Sequence, residues 1–533
     1  MKLTGFLFAA ALLGACTQPA AEENYTRHVD PKIGTGGHGH VFVGANVPFG
    51  LVQVGPTSIP QTWDWCSGYH ASDSTVIGFS HTHLSGTGIG DLFDITVMPV
   101  VGEVTYARGE ENDPASGLWS YADRTREITK PGYYSVPLVR YGITAELTAT
   151  ERVGLHRYTF PASDAAAVVF DLENGGCWDK ATDTGFRFSD DSTRIAGWRC
   201  STGWAKNQEV YFVAEFSKPA KGISYLQPGE IDDSKMPRIA ARYARVDFDT
   251  AEGEQVLVKV ALSPVSIKGA KANLAAELPG WDFDATAAAA DKAWNDELSK
   301  VKIETEDETS KRIFYTALYH TMVAPSLFCD VNGDYRGADG KVHENPGRDT
   351  YTTFSLWDTY RAAMPLMTVL HPERMPDIIQ TMLHIADEQG RLPVWHLWGN
   401  ETDCMVGNPG IVAVADAIVK GIGGFDREKA FETIRKTAMN PDRGNGLRME
   451  YGYIPCEMFN EAVAYDMEYA LADGAAARAA EALGKAEDAK YFEERSHSYR
   501  NYFDPQTGFM RGRDSKKGWR TPFNAFASTH RAD

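Results

Sequence analysis

The pattern of apolar and turn-forming residues changes near residue 280, and this change constrains the fold more than any other feature of the sequence. Between residue 29 and about residue 270, short apolar runs alternate with Gly-rich turns. The pattern predicts strands over 94–101, 133–138, 143–150, 156–160, 166–171, 209–216, 241–248 and 255–263. Many short strands with no long helix between them are typical of a β-sandwich.

After residue 280 the pattern becomes helical. The Ala-rich segment 285–298 predicts a helical linker by propensity. Amphipathic segments follow over 310–327, 357–370, 374–388, 412–422, 427–438, 462–483 and 487–503. In 374–388 the apolar residues recur with the period of a helix. Successive helices with short loops and no strands suggest an antiparallel all-α toroid or bundle, and at 533 residues the chain is long enough for two or more domains.

The first residues have the features of an export signal. Lys2 precedes an apolar run over 6–13, which is too short for a stable membrane span, and the segment ends in LGAC at Cys16. LGAC resembles a bacterial lipobox, in which Cys16 becomes the lipid-modified N-terminus; an ordinary secretory signal with a chance Cys is the alternative. We expect a protein of the bacterial cell envelope, in the periplasm or at the outer-membrane surface, that contacts the membrane only through this lipid anchor.

These patterns divide the chain into five parts. We expect a lipoprotein signal peptide over 1–16, a polar tether over 17–26, a β-sandwich domain over 27–272, a helical linker over 273–304 and a helical domain over 305–533.

Charge and cysteine content exclude some classes of function. The formal net charge of −19 argues against nucleic-acid binding, which needs a basic surface, and is compatible with a neutral ligand such as a glycan. After Cys16 six cysteines remain, and none forms a CxxC pair of the kind that binds zinc. Cys177 and Cys200 are candidates for a disulfide across a hairpin, which export would permit.

Two stretches combine Trp with carboxylates beside an apolar helical pattern, namely SLWDTYRAAMPL at 355–366 and RLPVWHLWGNETDC at 391–404. A sugar ring can stack its C–H face on an indole while a carboxylate accepts hydrogen bonds from its hydroxyls. For Asp358 the alternative is an ion pair with Arg361 at i,i+3 in an ordinary helix. The aromatic loop WDWCSGYH, with Trp63 and Trp65, suits ring stacking or a plug between the two domains equally well.

Two His-x-His pairs, His38 with His40 and His81 with His83, are candidate metal ligands. On a strand, residues i and i+2 share a face, so each pair could hold a metal ion. We favour hydrogen-bonded histidines in Gly-rich turns, because no nearby acidic or Cys residue completes a ligand set in the sequence.

Long blocks of the chain resemble glycoside hydrolase family 92, the exo-acting α-mannosidases. The matching blocks, in order, are VDPKIGTGGHGHVFVGANVPFGLVQVGP, DWCSGYHASDSTVIGFSHTHLSGTG, ERVGLHRYTFP, FYTALYHTMVAPSLFCDVNGDYRG, TFSLWDTYRAAMPL, LPVWHLWGNETDCMVG and YFEERSHSYRNYFDPQTGFMRGR. The resemblance implies a β + α multidomain fold. An N-terminal β-sandwich of the galactose-mutarotase type would precede an incomplete (α/α)6 barrel of the six-hairpin glycosidase type, with the active site between them.

The resemblance also implies a function and its site residues. It implies Ca²⁺-dependent, inverting release of terminal α-linked mannose, with α-1,2 linkages expected, from N-glycans or mannans. Asp358, with its neighbour Trp357, would hold the terminal mannose, and Trp63 or Trp65 would line the same subsite. Glu401 would be a residue of the pocket wall, while the calcium ligands are not assigned.

The catalytic carboxyls of the family are expected beyond Asp533. The general acid would lie in a Trp-rich block soon after FASTHRAD, and the base in an acidic block further on. An inverting reaction needs both carboxyls, so we assign no catalytic residue and expect an apparently truncated chain with little hydrolase activity. The alternatives are a non-catalytic glycan-binding envelope lipoprotein and an outer-membrane scaffold, and the scaffold leaves the Trp–carboxylate clusters unexplained.

Overall fold

The computed structural model describes residues 23–187, 191–228, 238–345 and 347–527. Its N-terminal half is built from two antiparallel sheets. The first has six strands, in sheet order Gly55–Thr57, Gly78–Ser80, Thr96–Val101, Ser163–Asp171, Ala241–Thr250 and Gly222–Pro228. The second has nine, in sheet order Arg238–Ile239, Lys180–Arg187, Arg194–Thr202, Gln208–Phe216, Glu254–Ser263, Val153–Phe160, Ile143–Ala149, Tyr133–Leu138 and Ile128–Lys130.

The two sheets pack face to face through their apolar side chains. Phe170 of the first sheet stacks on Phe212 of the second at 5.9 Å between ring centres, and Phe248 meets Phe216 at 5.8 Å. All four rings are buried. This interdigitated core is that of a β-sandwich, and the predicted sandwich is confirmed.

The C-terminal half is helical. Its helices are α1 (Ile267–Glu277), α2 (Phe283–Leu298), α3 (Glu308–His320), α4 (Leu356–Thr359), α5 (Ala363–Leu370), α6 (Met375–Gln389), α7 (Pro409–Val419), α8 (Arg427–Ala438), α9 (Asn445–Tyr451), α10 (Ala462–Ala482) and α11 (Ala486–Arg495). The Ala-rich helix α10 packs against α7, α8 and α11. No helix in the described ranges has both the length and the apolar character needed to cross a bilayer.

Short elements complete the chain. The short strands are Thr75–Val76, Ser120–Tyr121, Ser326–Leu327, Tyr335–Arg336, Val342–His343, Tyr351–Thr352, Phe354–Ser355, Trp395–Leu397, Asn400–Glu401, Phe503–Asp504 and Phe509–Met510. Single 3₁₀ turns occur at Tyr25–His28, Trp63–Trp65, Pro114–Ser116, Arg124–Arg126 and Ser498–Asn501.

The element bounds differ from the sequence-based prediction in a few places. Strands Lys180–Arg187, Arg194–Thr202 and Gly222–Pro228 were missed, because their polar, Gly-containing sequences lack clear apolar alternation. The helix predicted over 310–327 ends at His320, ahead of Pro325, which has no N–H to donate. The helix predicted over 357–370 is split into α4 and α5 by a break at residues 360–362.

The end of the predicted tether is packed against the protein. The backbone N–H of Tyr25 donates to Asn295 at 2.7 Å, and the Thr26 hydroxyl donates to Asp291 at 2.6 Å. Both contacts fasten the chain to α2, so residues 25 and 26 are structured. The predicted signal peptide, Cys16 and the rest of the tether up to residue 22 lie outside the described residues.

The junction between the halves is extensively packed. Helix α1, which begins inside the predicted sandwich domain, covers the outer face of the nine-stranded sheet with Ala270 and Leu274. From α2 the buried Trp294 indole donates to the Asn46 carbonyl at 2.7 Å.

The disulfide predicted between Cys177 and Cys200 is wrong, since both are free thiols. Cys177 lies instead against Gly90.

Candidate functional site

A cavity of about 280 Å³ lies between the two halves of the protein. Residues 85–87 close it from the sandwich side, and α3, α4, α5 and the strand Trp395–Leu397 close it from the helical side. Its volume is just below the range of roughly 300–1,000 Å³ that is typical of ligand sites. The wall combines apolar groups such as Phe354 and Met364 with a few polar side chains, which suits a small polyhydroxylated ligand.

Asp358 is the only carboxylate among the residues that line this cavity in the described part of the chain. It is exposed near the start of α4 and accepts a hydrogen bond from the Ser355 hydroxyl. The alternative ion pair with Arg361 does not form: Arg361 donates to Glu468 at 2.5 Å, and the Tyr360 hydroxyl donates to the other Glu468 oxygen at 2.8 Å. The Asp358 carboxylate therefore remains available to accept from a ligand.

Trp357 does not line the cavity, although it adjoins Asp358. Its indole is half-buried beneath the Arg361 guanidinium, 5.6 Å from the ring centre. Its Nε1 is buried without a hydrogen-bond partner. Trp395 instead supplies an aromatic wall to the cavity, and it packs edge-on against Trp204 of the sandwich domain at 4.5 Å.

Glu401 holds the loop that presents Trp395. Its Oε2 accepts from the backbone N–H of Val394 at 2.8 Å, and its Oε1 accepts from Trp395 at 2.9 Å and Asp403 at 3.0 Å. The residue is half-buried and is not among those that line the cavity. The geometry assigns Glu401 a supporting position behind the wall.

Trp63 and Trp65 face different surroundings. Trp63 is 51% exposed and donates from Nε1 to the Gly88 carbonyl at 2.8 Å. Trp63 therefore contacts the loop in which residues 85–87, just before Gly88, line the cavity. Trp65 is fixed by a 2.7 Å hydrogen bond to Asp73 and by stacking on His70 at 4.3 Å. Of the two indoles, that of Trp63 is the more exposed.

His320 is a cavity residue that sequence reasoning missed. It ends α3, lines the cavity, and has an Nε2 atom that is buried without a partner. Burial lowers the pKa of His320 to about 4, so the imidazole is neutral near pH 7 and can donate to or accept from a hydroxyl. No pattern in the sequence indicated this position, because the cavity forms only where α3 meets the 85–87 loop.

The two His-x-His pairs have different environments. His81 Nδ1–H donates to the Ile95 carbonyl at 2.6 Å, and its Nε2 lies 2.9 Å from Nε2 of His156. His83 contacts the Gln53 carbonyl at 2.7 Å. Both are buried, and burial lowers the pKa of each, to about 4 and about 3. For this pair the expectation of hydrogen-bonded histidines is confirmed.

The other pair, His38 and His40, contacts an acidic residue that is distant from it in the sequence. His38 Nδ1 lies 2.6 Å from Asp64 Oδ1, and His40 Nε2 lies 3.2 Å from the same oxygen. Asp64 thus completes a set for which the sequence predicted no acidic residue, because the 3₁₀ turn Trp63–Trp65 places Asp64 against the His-Gly-His turn.

Neither group of possible metal ligands in the described ranges fits calcium. These groups are His38, His40 and Asp64, and Glu297, His371 and Glu373. Ca²⁺ takes six to eight oxygen ligands, whereas each group holds at least one imidazole and few oxygens. We therefore derive no step through a calcium ion from these residues.

Comparisons with known proteins identify the class. The model of the glycosyl hydrolase family 92 N-terminal domain matches residues 28–263, and that of the family 92 catalytic domain matches residues 269–533. These matches cover nearly the whole chain, and they make it a glycoside hydrolase homologue. The chain belongs to glycosyl hydrolase family 92.

Solved structures and a curated relative agree with this assignment. A family 92 α-mannosidase from Bacteroides thetaiotaomicron in complex with mannoimidazole is 38% identical with a TM-score of 0.90, over 94% of this chain and 67% of that chain. An inverting family 92 mannosidase from B. thetaiotaomicron VPI-5482 is 28% identical with a TM-score of 0.85, over 97% and 70%. An uncharacterized secreted glycosidase from Arthroderma benhamiae is 26% identical over 93% of this chain. The chain spans 64% of that fungal relative.

Proposed function

We propose that the cavity between the two domains holds one terminal mannose residue of a glycan, and that Asp358 is its principal polar anchor. The observation that carries the proposal is the exposed Asp358 carboxylate, whose neighbour Arg361 pairs with Glu468 instead, in a cavity of about 280 Å³. A carboxylate can accept from two neighbouring sugar hydroxyls, and such charge-assisted hydrogen bonds are among the stronger polar contacts. A cavity of this size suits a single ring and thus exo-action at a chain end.

The family and its relatives support the choice of mannose. One similar structure contains mannoimidazole and another is called an inverting mannosidase. We accordingly propose that the site belongs to a reaction that releases terminal α-linked mannose, with α-1,2 linkages of N-glycans or mannans as the expected substrates. Calcium dependence is part of this proposal by family resemblance. Trp63 is proposed as a stacking surface, and His320 as a neutral hydrogen-bonding partner.

The residues of this chain support binding more directly than hydrolysis. An inverting glycosidase uses two carboxyl groups about 6.5–9.5 Å apart, one as acid and one as base. Among the described residues Asp358 is the only carboxylate in the cavity wall. We therefore propose that the 533-residue chain by itself binds mannose and releases little or none from α-mannobiose. This observation also favours the alternative of a non-catalytic glycan-binding lipoprotein.

The binding proposal is tested with Asp358→Asn in the purified chain, by calorimetric titration with methyl α-D-mannoside. Loss of a charged acceptor is expected to weaken binding by about 10- to 100-fold, which corresponds to roughly 1.5–3 kcal/mol. The matched control is Asp164→Asn, since Asp164 is an exposed residue of the sandwich domain. Equal affinities of Asp358→Asn and the parent chain would refute the proposal.

The activity proposal needs a separate measurement. Mannose release from α-1,2-mannobiose is followed with added CaCl₂ and with a chelator. Calcium-dependent release by the 533-residue chain would contradict the assignment of binding alone.

We also propose an envelope location with Cys16 as the lipidated residue. The support is the LGAC sequence and the description of the fungal relative as secreted. Labelling of expressing cells with a palmitate analogue tests it, because Cys16→Ser should abolish incorporation.

A further inference from the structure

Three side chains from two separate turns converge beside the exposed Trp63. His38 and His40 come from the His-Gly-His turn, and Asp64 comes from the 3₁₀ turn Trp63–Trp65. One ligand-type atom of each lies within 4.8 Å of the others, and both imidazoles approach Asp64 Oδ1, at 2.6 and 3.2 Å. This cluster is separate from the carboxylate of the sugar cavity.

The backbone is shaped for this convergence. His40 has φ of +53°, a left-handed conformation that is unfavourable for a residue with a Cβ atom and is often found at functional sites. A Cβ atom at Gly39 would lie 1.9 Å from the Gly34 carbonyl oxygen, so only glycine fits between the two histidines. The Gly86 N–H donates to the His40 carbonyl at 2.7 Å and joins this turn to the 85–87 loop.

The donor set selects the class of ion. Two imidazoles and one carboxylate suit Zn²⁺ and similar transition metals and are a poor set for Ca²⁺ or Mg²⁺. Ligands about 2.0–2.1 Å from a tetrahedral zinc ion are about 3.3 Å apart. The His40–Asp64 separation already matches this spacing, and the side chain of His38 is 76% exposed and can turn to open the shorter contact.

The second cluster of possible ligands shows the contrast. Glu297 and Glu373 contact Lys300 at 2.7 and 3.0 Å, so a cation already occupies the centre of that group. In the described part of the chain, Asp64 has ion-pair contacts with His38 and His40 and with no Lys or Arg. A metal ion there would meet no competing positive side chain.

We propose that His38, His40 and Asp64 form a binding site for one zinc-class transition-metal ion, with a fourth position open to solvent. His40 lies edge-on to the Trp63 ring at 4.3 Å, and Trp63 is adjacent in sequence to Asp64. A bound ion would link the His-Gly-His turn to the 3₁₀ turn and would hold the Trp63 indole beside the cavity between the two domains. The inference does not depend on the proposed mannosidase function.

The test is a calorimetric Zn²⁺ titration of the metal-stripped chain at pH 7.5, after removal of any polyhistidine tag. We expect one equivalent to bind with a Kd of about 10 μM or tighter, and His38→Ala to weaken binding at least 10-fold. His38 is the most informative position, because its side chain is exposed and its replacement by alanine should disturb folding little. Asp64→Asn keeps the side-chain shape and is expected to weaken binding similarly.

The matched control is His343→Ala. His343 is a half-buried histidine 2.9 Å from Asp339, the same kind of pair without a second imidazole among its ion-pair contacts. Retention of one-equivalent binding in this variant, together with binding weakened at least 10-fold in His38→Ala, supports the site. Absence of binding to the parent chain, or the same affinity in His38→Ala as in the parent chain, overturns it.

Discussion

Replacing Glu401 with Gln is expected to destabilise the loop that presents Trp395, rather than to remove a sugar contact. The carboxylate accepts from three backbone N–H groups, those of Val394, Trp395 and Asp403. Two of these bonds go to Oε1 and one goes to Oε2. In the Gln variant the amide oxygen can keep the first two, while the amide NH₂ faces the Val394 N–H as a second donor.

The magnitude follows from these bonds. A hydrogen bond to a charged group contributes roughly 1.5–3 kcal/mol when buried, and Glu401 is half-buried, so the lower part of that range applies. We expect Glu401→Gln to lower the free energy of unfolding by about 2 kcal/mol and Glu401→Ala by about 3 kcal/mol. For a helical half of this size, each kcal/mol corresponds to about 2–4 °C in Tm, which gives a fall of about 4–8 °C for Gln.

Calorimetric melting and a methyl α-D-mannoside titration below the transition measure the two effects separately. The control is Glu304→Gln, because Glu304 is exposed on the segment before α3. We expect a lowered Tm with sugar affinity changed by less than about threefold. An unchanged Tm with a tenfold or larger loss of affinity would refute this reasoning and make Glu401 a direct sugar contact.

Four further substitutions are expected to change either sugar binding or stability. Trp63→Ala should weaken mannoside binding about 3- to 10-fold with little change in Tm, whereas Trp65→Ala, which loses a bonded and stacked indole, should mainly lower Tm; titration and melting distinguish them. The pKa of His320 is about 4 in the folded protein and about 6.5 in the unfolded chain, so between these pH values only the unfolded chain binds the proton. The stability of the fold therefore falls as pH falls from 6.5 to 4. Melting at pH 7 and pH 5 should show a smaller loss of Tm for His320→Asn than for the parent chain. Arg199→Met should lower the free energy of unfolding by about 3–5 kcal/mol in denaturant titrations, since it leaves two buried aspartates without their cation.

Local patterns predicted most of the framework. The strand over 133–138 and the helix over 427–438 have the predicted bounds, because an apolar periodicity and clear end residues determine both within a short window. The strands that were missed lack that periodicity, and they form because neighbouring strands supply hydrogen-bond partners.

The site was predicted in its residue types more than in its contacts. Asp358 lines the cavity and Trp63 lies beside it, while Glu401 and Trp357 do not line it, and their roles toward a sugar stay predictions. His320 and Trp395 line the cavity and had not been singled out as cavity residues. Which side chains face a cavity depends on how α3, α4 and the 85–87 loop dock, and no spacing within one segment encodes that docking.

The sequence by itself determined that a β half precedes a helical half. It also identified the Trp–carboxylate stretches and the two histidine pairs, His-Gly-His and His-Thr-His, as candidate sites. The tertiary structure decided the partners. Arg361 bonds Glu468, which is 107 residues away, and this leaves Asp358 free for a ligand. Asp64 meets His38 across 26 residues and turns a histidine pair into a possible metal site. The physical reason is that periodicity is a local property of the chain, whereas the partner of a charged side chain is set by whichever distant group packing brings within a few ångströms.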